Sequence, residues 1–344
     1  MRPHLRAVLM AVAVLAVTRP AAQDPRREVH DYLARTGFTA EEIAGLEGGQ
    51  VLARATSAKA AAEIAVVAAV KIAVPRDRAI AYYGQMISYV DGRVTLGFGR
   101  FSEPATLDDV KAMSLERSEV DELKSCRPGR CDLRLGGAGI ETLRSSIDWG
   151  AADYVDRVNG FVRKSAVGYV EAYRARGDAA LVTYDDRDRA VNLREQWQGI
   201  LAGSPHFHDY APELKQYLER YPSGTLTGAR DVLYWTRESF GLKPIISIVH
   251  GIVYEPPSRS DRAFVVQKQI YASHYYDGSL AVATLLSATD GTPATYLVYA
   301  NRSRGDLLRG GFGGLKRNMA ESQARKAALD TLGAIKRALE TAGS

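Results

Sequence analysis

Along 264–276 apolar and polar side chains alternate: Phe264, Val266, Ile270, Ala272 and Tyr276 fall on one side, and Gln267, Gln269, Tyr271 and Ser273 on the other. A period of two predicts a strand with one dry and one wet face. Asp277-Gly278 follows, a pair that suits a two-residue hairpin because both central residues accept positive φ, so 280–288 is expected to pair back antiparallel. The alternation returns over 295–302, and from Leu315 to Leu339 the apolar spacing lengthens to three or four, the period of an amphipathic helix. This C-terminal block therefore predicts three strands closed by one long helix.

The N-terminal part carries the same alphabet. Asp24-Pro25 predicts a helix start, with Asp as the cap and Pro at the first helical position, and Gly37 stops that helix. Thr39 and Glu42 have the spacing of a capping box for a second short helix. Strands are predicted over 50–55 and 61–74, the latter with Ile64, Val66, Ala68, Val70, Ile72 and Val74 on one face. Pro75 ends it, a helix is expected over 76–86, and 93–101 alternates again with Val94, Leu96 and Phe98 together. From Thr106 to Gly241 nearly everything reads as helix, including a last segment through Val232, Leu233, Thr236 and Phe240. Strand character resumes at 245–254, where Ile246, Ile248, Ile252 and Tyr254 share a face with His250.

The first 22 residues change the picture of compartment. Eleven apolar residues at 7–17 follow Arg2 and Arg6, the pattern of a secretory signal peptide. As a helix that run rises about 16 Å, too short for a ~30 Å hydrocarbon core. Cleavage near residue 22 is expected, with a periplasmic or secreted product. The formal charge of +5 loses three units with Arg2, Arg6 and Arg19, leaving +2. A nearly neutral chain without a basic, aromatic-interleaved stretch gives no reason to expect a nucleic-acid partner. The only two cysteines, Cys126 and Cys131, flank Pro128-Gly129; in an exported chain they predict a disulfide across a tight turn. A zinc site needs four ligands, and no nearby Cys or His supplies the other two.

Together these elements predict an α+β fold: a curved antiparallel sheet gripping a long C-terminal helix, split into 24–104 and 243–344 by an inserted all-helical layer at 105–242. The order of short helix, strands, helix after Pro75, strands and long final helix resembles the START-like, or SRPBCC, superfamily with its helix-grip fold. The likeness covers 24–104 and 243–344 and rests on element order without a residue motif, so it brings over no functional residue. It implies a cavity between sheet and helix for a lipid, sterol-like or other apolar ligand.

Candidate chemistry is sparse. Lys268 and His274 interrupt the dry face of 264–276, and His250 does so on 245–254; a buried polar group needs a partner, so each is either paired within the protein or in contact with ligand. Arg100, near a strand end, either forms a surface ion pair or meets an anionic head group, and the small residues Ala324, Ala327 and Ala328 midway along the last helix either let it approach the sheet closely or leave room above it. His206, His208 and Asp209 resemble the metallo-β-lactamase His-x-His-x-Asp-His pattern only in part, since the Asp comes one residue early and the last His is missing. Gly310-Gly311-Phe312-Gly313-Gly314 lacks the Lys-Ser/Thr ending of a phosphate loop and reads as a hinge at the helix root. Asp185, Asp186 and Asp188 lack calcium-loop spacing, and there is no Gly-x-Ser-x-Gly elbow. No metal or cofactor is expected. The leading expectation is an exported binding protein for an apolar or amphipathic, lipid-like small molecule, with transient contact at a membrane surface; Lys268, His274, His250, Arg100 and Ala328 are its candidate ligand contacts. Two alternatives remain open: an enzyme using His250, His274 and Lys268 as acid/base groups, and a structural or interaction protein of the cell envelope.

Overall fold

The computed structural model describes residues 24–341 except 59, 87–94, 205, 206, 208, 240, 241, 289, 290, 292 and 310–312. The expected signal segment, His206 and His208, and most of the glycine hinge lie outside the described residues. After Asp24, whose side chain accepts from the Arg26 amide, come α1 (Pro25–Arg35) and α2 (Ala40–Glu47), the latter opened by the reciprocal Thr39–Glu42 capping box. β1 (Leu52–Thr56), β2 (Glu63–Ile72), α3 (Arg76–Met86) and β3 (Thr95–Arg100) follow. The middle of the chain supplies α4 (Arg117–Glu122), α5 (Gly137–Ser146), α6 (Tyr154–Arg176), a short β4–β5 pair (Thr183–Tyr184, Val191–Asn192), α7 (Leu193–Ala202) and α8 (Pro212–Arg220). Then come β6 (Ala229–Glu238), β7 (Ile245–Tyr254), β8 (Arg262–Ala272), β9 (Tyr276–Ser287), β10 (Thr295–Gly305) and α9 (Gly313–Thr341).

Eight of these strands form one antiparallel sheet in the order β1-β2-β10-β9-β8-β7-β6-β3. The two ends of the chain meet inside it, because β2 and β10 pair over their whole lengths, from Thr295 opposite Ile72 to Arg304 opposite Glu63. α9 packs over β1 and β2, and with α3 it buries even-numbered positions of β2, including Val66, Ala68 and Val70, with Leu285 and Leu297. On the opposite face α5 to α8 cover Leu233, Trp235, Ile246, Ile248, Phe264 and Val266. α1 and α2 close that same face at the β1–β2–β10 end over Val67, Ala69, Tyr296 and Val298. The protein is thus α+β, with helices on both faces of the sheet.

Two expectations are corrected. The stretch 229–238 is a strand, β6, so the segment 105–242 is not all helical. Between β3 and β7, β6 is covered on both faces: Leu233 and Trp235 face α5 to α8, and Tyr234 faces α3 and α9. A strand buried on both sides has an apolar run instead of alternation, and Val232, Leu233 and Thr236 then imitate helical spacing. The β8–β9 turn also lies earlier than Asp277-Gly278, at Ser273, His274 and Tyr275, where Tyr275 takes φ 61°. Ser273 anchors the end of β8 through its amide to the Ile246 carbonyl and its hydroxyl to the Ile246 amide. Asp277 and Gly278 belong to β9. Asp277 is a buried ion-pair partner of Arg134 (2.8 Å) and Arg309 (2.5 Å), and Gly278 lies under Leu193 and Ile200 of α7.

Cys126 and Cys131 are disulfide-bonded. The loop they close makes paired Arg127–Arg130 backbone hydrogen bonds, and the amides of Gly129 and Cys131 donate to the carbonyls of Asp185 and Asp186. The acidic turn at 185–188 therefore receives the disulfide loop, and Asp186 lies 3.6 Å from buried Arg134. No described helix is long and apolar enough to cross a membrane.

Candidate functional site

Between the sheet and α9 lies a cavity of about 400 Å³. Its floor is built from alternate positions of successive strands, since side chains of one parity reach one face of a sheet. Ser303 of β10 faces Ser279 of β9, and their hydroxyls are 2.8 Å apart. Asn301 joins both, donating to Ser279 (3.2 Å) and accepting from Ser303 (2.9 Å). Gln269 of β8 donates to Ser247 of β7 (3.0 Å), and Ser247 faces Thr236 of β6. A polar row thus crosses five strands. The Gln269 Oε1 atom is buried without a protein partner.

The rest of the wall is apolar or aromatic. Ala324, Ala327, Ala328 and Leu332 of α9 form the roof, and Tyr83 of α3 and Phe98 of β3 contribute from the side. Phe98 and Tyr234 pack with ring centroids 5.7 Å apart. Gly251 makes room for Tyr234, because a Cβ there would stand 2.9 Å from Val232 and 3.2 Å from the Tyr234 ring. The Tyr234 hydroxyl accepts from Gln267 (3.0 Å). At β3 a bulge leaves Leu96 unpaired and exposed, and Thr95 and Phe98 both reach the cavity.

Glu238, at the end of β6, is the acidic residue of this wall. Burial pushes its carboxyl above the ordinary value, and a hydrogen bond with Thr236 acts the other way. Burial also raises the hydroxyls of Tyr234, Tyr276 and Tyr299, the last to about 12, and the charge of Glu238 adds to each.

Of the five residues singled out from sequence as ligand contacts, Ala328 alone lines this cavity. Lys268 and His250 are cross-strand neighbours on the opposite face, beneath α6 and α7. His250 Nδ1 lies 3.0 Å from the Tyr173 hydroxyl and Nε2 lies 2.5 Å from Asp231, which also accepts from the Tyr217 hydroxyl at 2.5 Å. Burial lowers the pKa of His250, against the pull of Asp231. Lys268 is ion-paired with Asp178, its ammonium 5.0 Å from the Trp197 ring centroid. Burial pushes its pKa down and Asp178 resists. A cleft of about 390 Å³ runs past Lys268 and Asp178 between α7 and α8. His274 occupies the β8–β9 turn, where burial lowers its pKa and its Nε2 lacks a protein partner. Arg100 ends β3 and is exposed. His250, His274 and Lys268 therefore do not converge as one acid/base set.

A third space, about 250 Å³ and mostly apolar, lies under α5 and α6 beside Ala166, Ile248 and Tyr271. Among the described residues no group of three or more His, Cys, Asp or Glu is placed to hold a metal ion. Sequence reasoning missed Glu238, Thr236 and Tyr234 because their strand resembled a helix. It saw Gln267, Gln269, Tyr271 and Ser273 as one wet face; Gln267 and Gln269 face the cavity, whereas Tyr271 and Ser273, beyond an irregularity in the β7–β8 pairing, line the space on the opposite face. A scan against protein-family models and a search of curated proteins found no match to this chain.

Proposed function

We propose that this protein binds an amphipathic small molecule between its sheet and α9, on the helix-grip plan that its element order resembles. The observation that carries this reading is the 400 Å³ cavity with a polar row on its floor and alanines in its roof. Its volume falls in the ~300–1,000 Å³ range of small-molecule sites, and its wall joins apolar surface to a few placed polar groups. Gln267, Ser247, Asn301 and Thr236 in the wall favour a ligand with a polar end over a wholly apolar one. The signal-like N-terminus and the disulfide support export to the periplasm or beyond.

Native mass spectrometry of the protein purified from its own compartment tests this reading. The expected spectrum contains a protein species heavier by one small molecule, and that molecule partitions between water and organic solvent as an amphiphile. Protein that carries nothing, and takes up nothing from a total lipid extract, would support the envelope structural alternative instead.

A further inference from the structure

We infer that the molecule held in this cavity carries a cationic amine, seated beside Glu238, with its apolar body beneath α9. The inference rests on the cavity reading above and adds the charge of the ligand. Among the described lining residues Glu238 is the single carboxylic acid, and none is Lys, Arg or His. Its neighbour Arg237 points to the other face, where it pairs with Glu119 (2.7 Å) and Glu116 (3.2 Å). A carboxylate taken from water without a positive partner is costly, so it either keeps its proton or meets a cation. The groups around it suit the second outcome. Tyr234, Tyr276 and Tyr299 line the same wall as Glu238, and Phe98 packs against Tyr234 as a tilted ring pair. Aromatic faces attract cations, and this attraction grows where water is excluded. An anionic head group would meet Glu238 with no described cation in the wall, which disfavours a fatty acid as the ligand.

The test compares three probes of one chain length, decylamine, decanol and decanoate, by titration calorimetry at neutral pH with the mature full-length protein. Wild type should bind the amine about tenfold or more tightly than the alcohol, the scale of a charge-assisted hydrogen bond, and the carboxylate most weakly. Glu238→Gln should bring the amine down to the alcohol and leave the alcohol unchanged. Glu238→Asp, which keeps the charge, should retain the preference and guards against a folding defect in the amide variant. Equal or tighter binding of the alcohol or carboxylate by wild type, or an amine preference that survives Glu238→Gln, would overturn the inference and leave the cavity reading standing. Failure of all three probes to bind wild type would remove both.

Discussion

His250 is fully buried, and both ring nitrogens have partners in Tyr173 and Asp231. Its folded pKa lies below the ordinary 6.5, so the unfolded chain takes up a proton more readily than the fold does. The corresponding stability is present above pH 6.5 and is lost as pH falls toward the folded value. Glu238 has the opposite sign. Its folded pKa lies above the ordinary 4.5, so its contribution is present below that pH and is lost as pH rises through the folded value. Thermal unfolding across about pH 4 to 8 should therefore show two separate effects. His250→Gln should flatten the acid-side decline, and Glu238→Gln should stabilise the ligand-free protein increasingly as pH rises. Parallel curves for wild type and both variants would contradict these assignments. Sequence alone exposed His250 and Lys268 as polar breaks in apolar strands, which they are. It could not show that Tyr173, Asp231 and Asp178 supply their partners, because those residues lie tens of positions away on other elements.

Elements with local signals were the most legible. The Asp24 cap, the Thr39–Glu42 box and the long final helix need only neighbouring residues to specify them, and each is present. β6 was hidden because its period is masked by burial on both faces, and Asp277-Gly278 misled because a buried ion pair, not turn geometry, places the Asp. The disulfide loop follows local rules too. Gly129 adopts φ 80°, and paired Arg127–Arg130 backbone hydrogen bonds span the turn inside the sulfur bridge. A bridge spanning so few residues removes little unfolded-chain entropy, so Cys126→Ala with Cys131→Ala should lower stability by about 2 kcal/mol. Chemical denaturation measures that loss, and intact mass should show the wild-type protein two protons lighter than its dithiol form. A loss of ligand binding in the double variant would show that the loop shapes the cavity, which lies on the other side of the sheet.

At the scale of the molecule, the sheet divides two kinds of burial. Toward α5 to α8 it presents Phe264, Val266 and Ile248, with Lys268 and His250 paired internally. Toward α9 it presents Gln267, Gln269, Ser247 and Ser279 around a space. Gln267 and Gln269 of the wet face thus wall a cavity, while an irregularity in the β7–β8 pairing puts Tyr271 and Ser273 of that face beside the space under α5 and α6, and Tyr276 of the dry face also lines the cavity. That arrangement was not legible, since alternation reveals which residues share a side and not what covers it. The most direct test of the account is binding of a fluorescent amphiphile to two variants that fill different spaces, with folding checked by circular dichroism. Ala328→Phe fills the cavity beneath α9, and Ala166→Phe fills the 250 Å³ space on the opposite face. The account predicts that Ala328→Phe abolishes binding and Ala166→Phe keeps it; binding retained by a folded Ala328→Phe variant and lost in Ala166→Phe would contradict it.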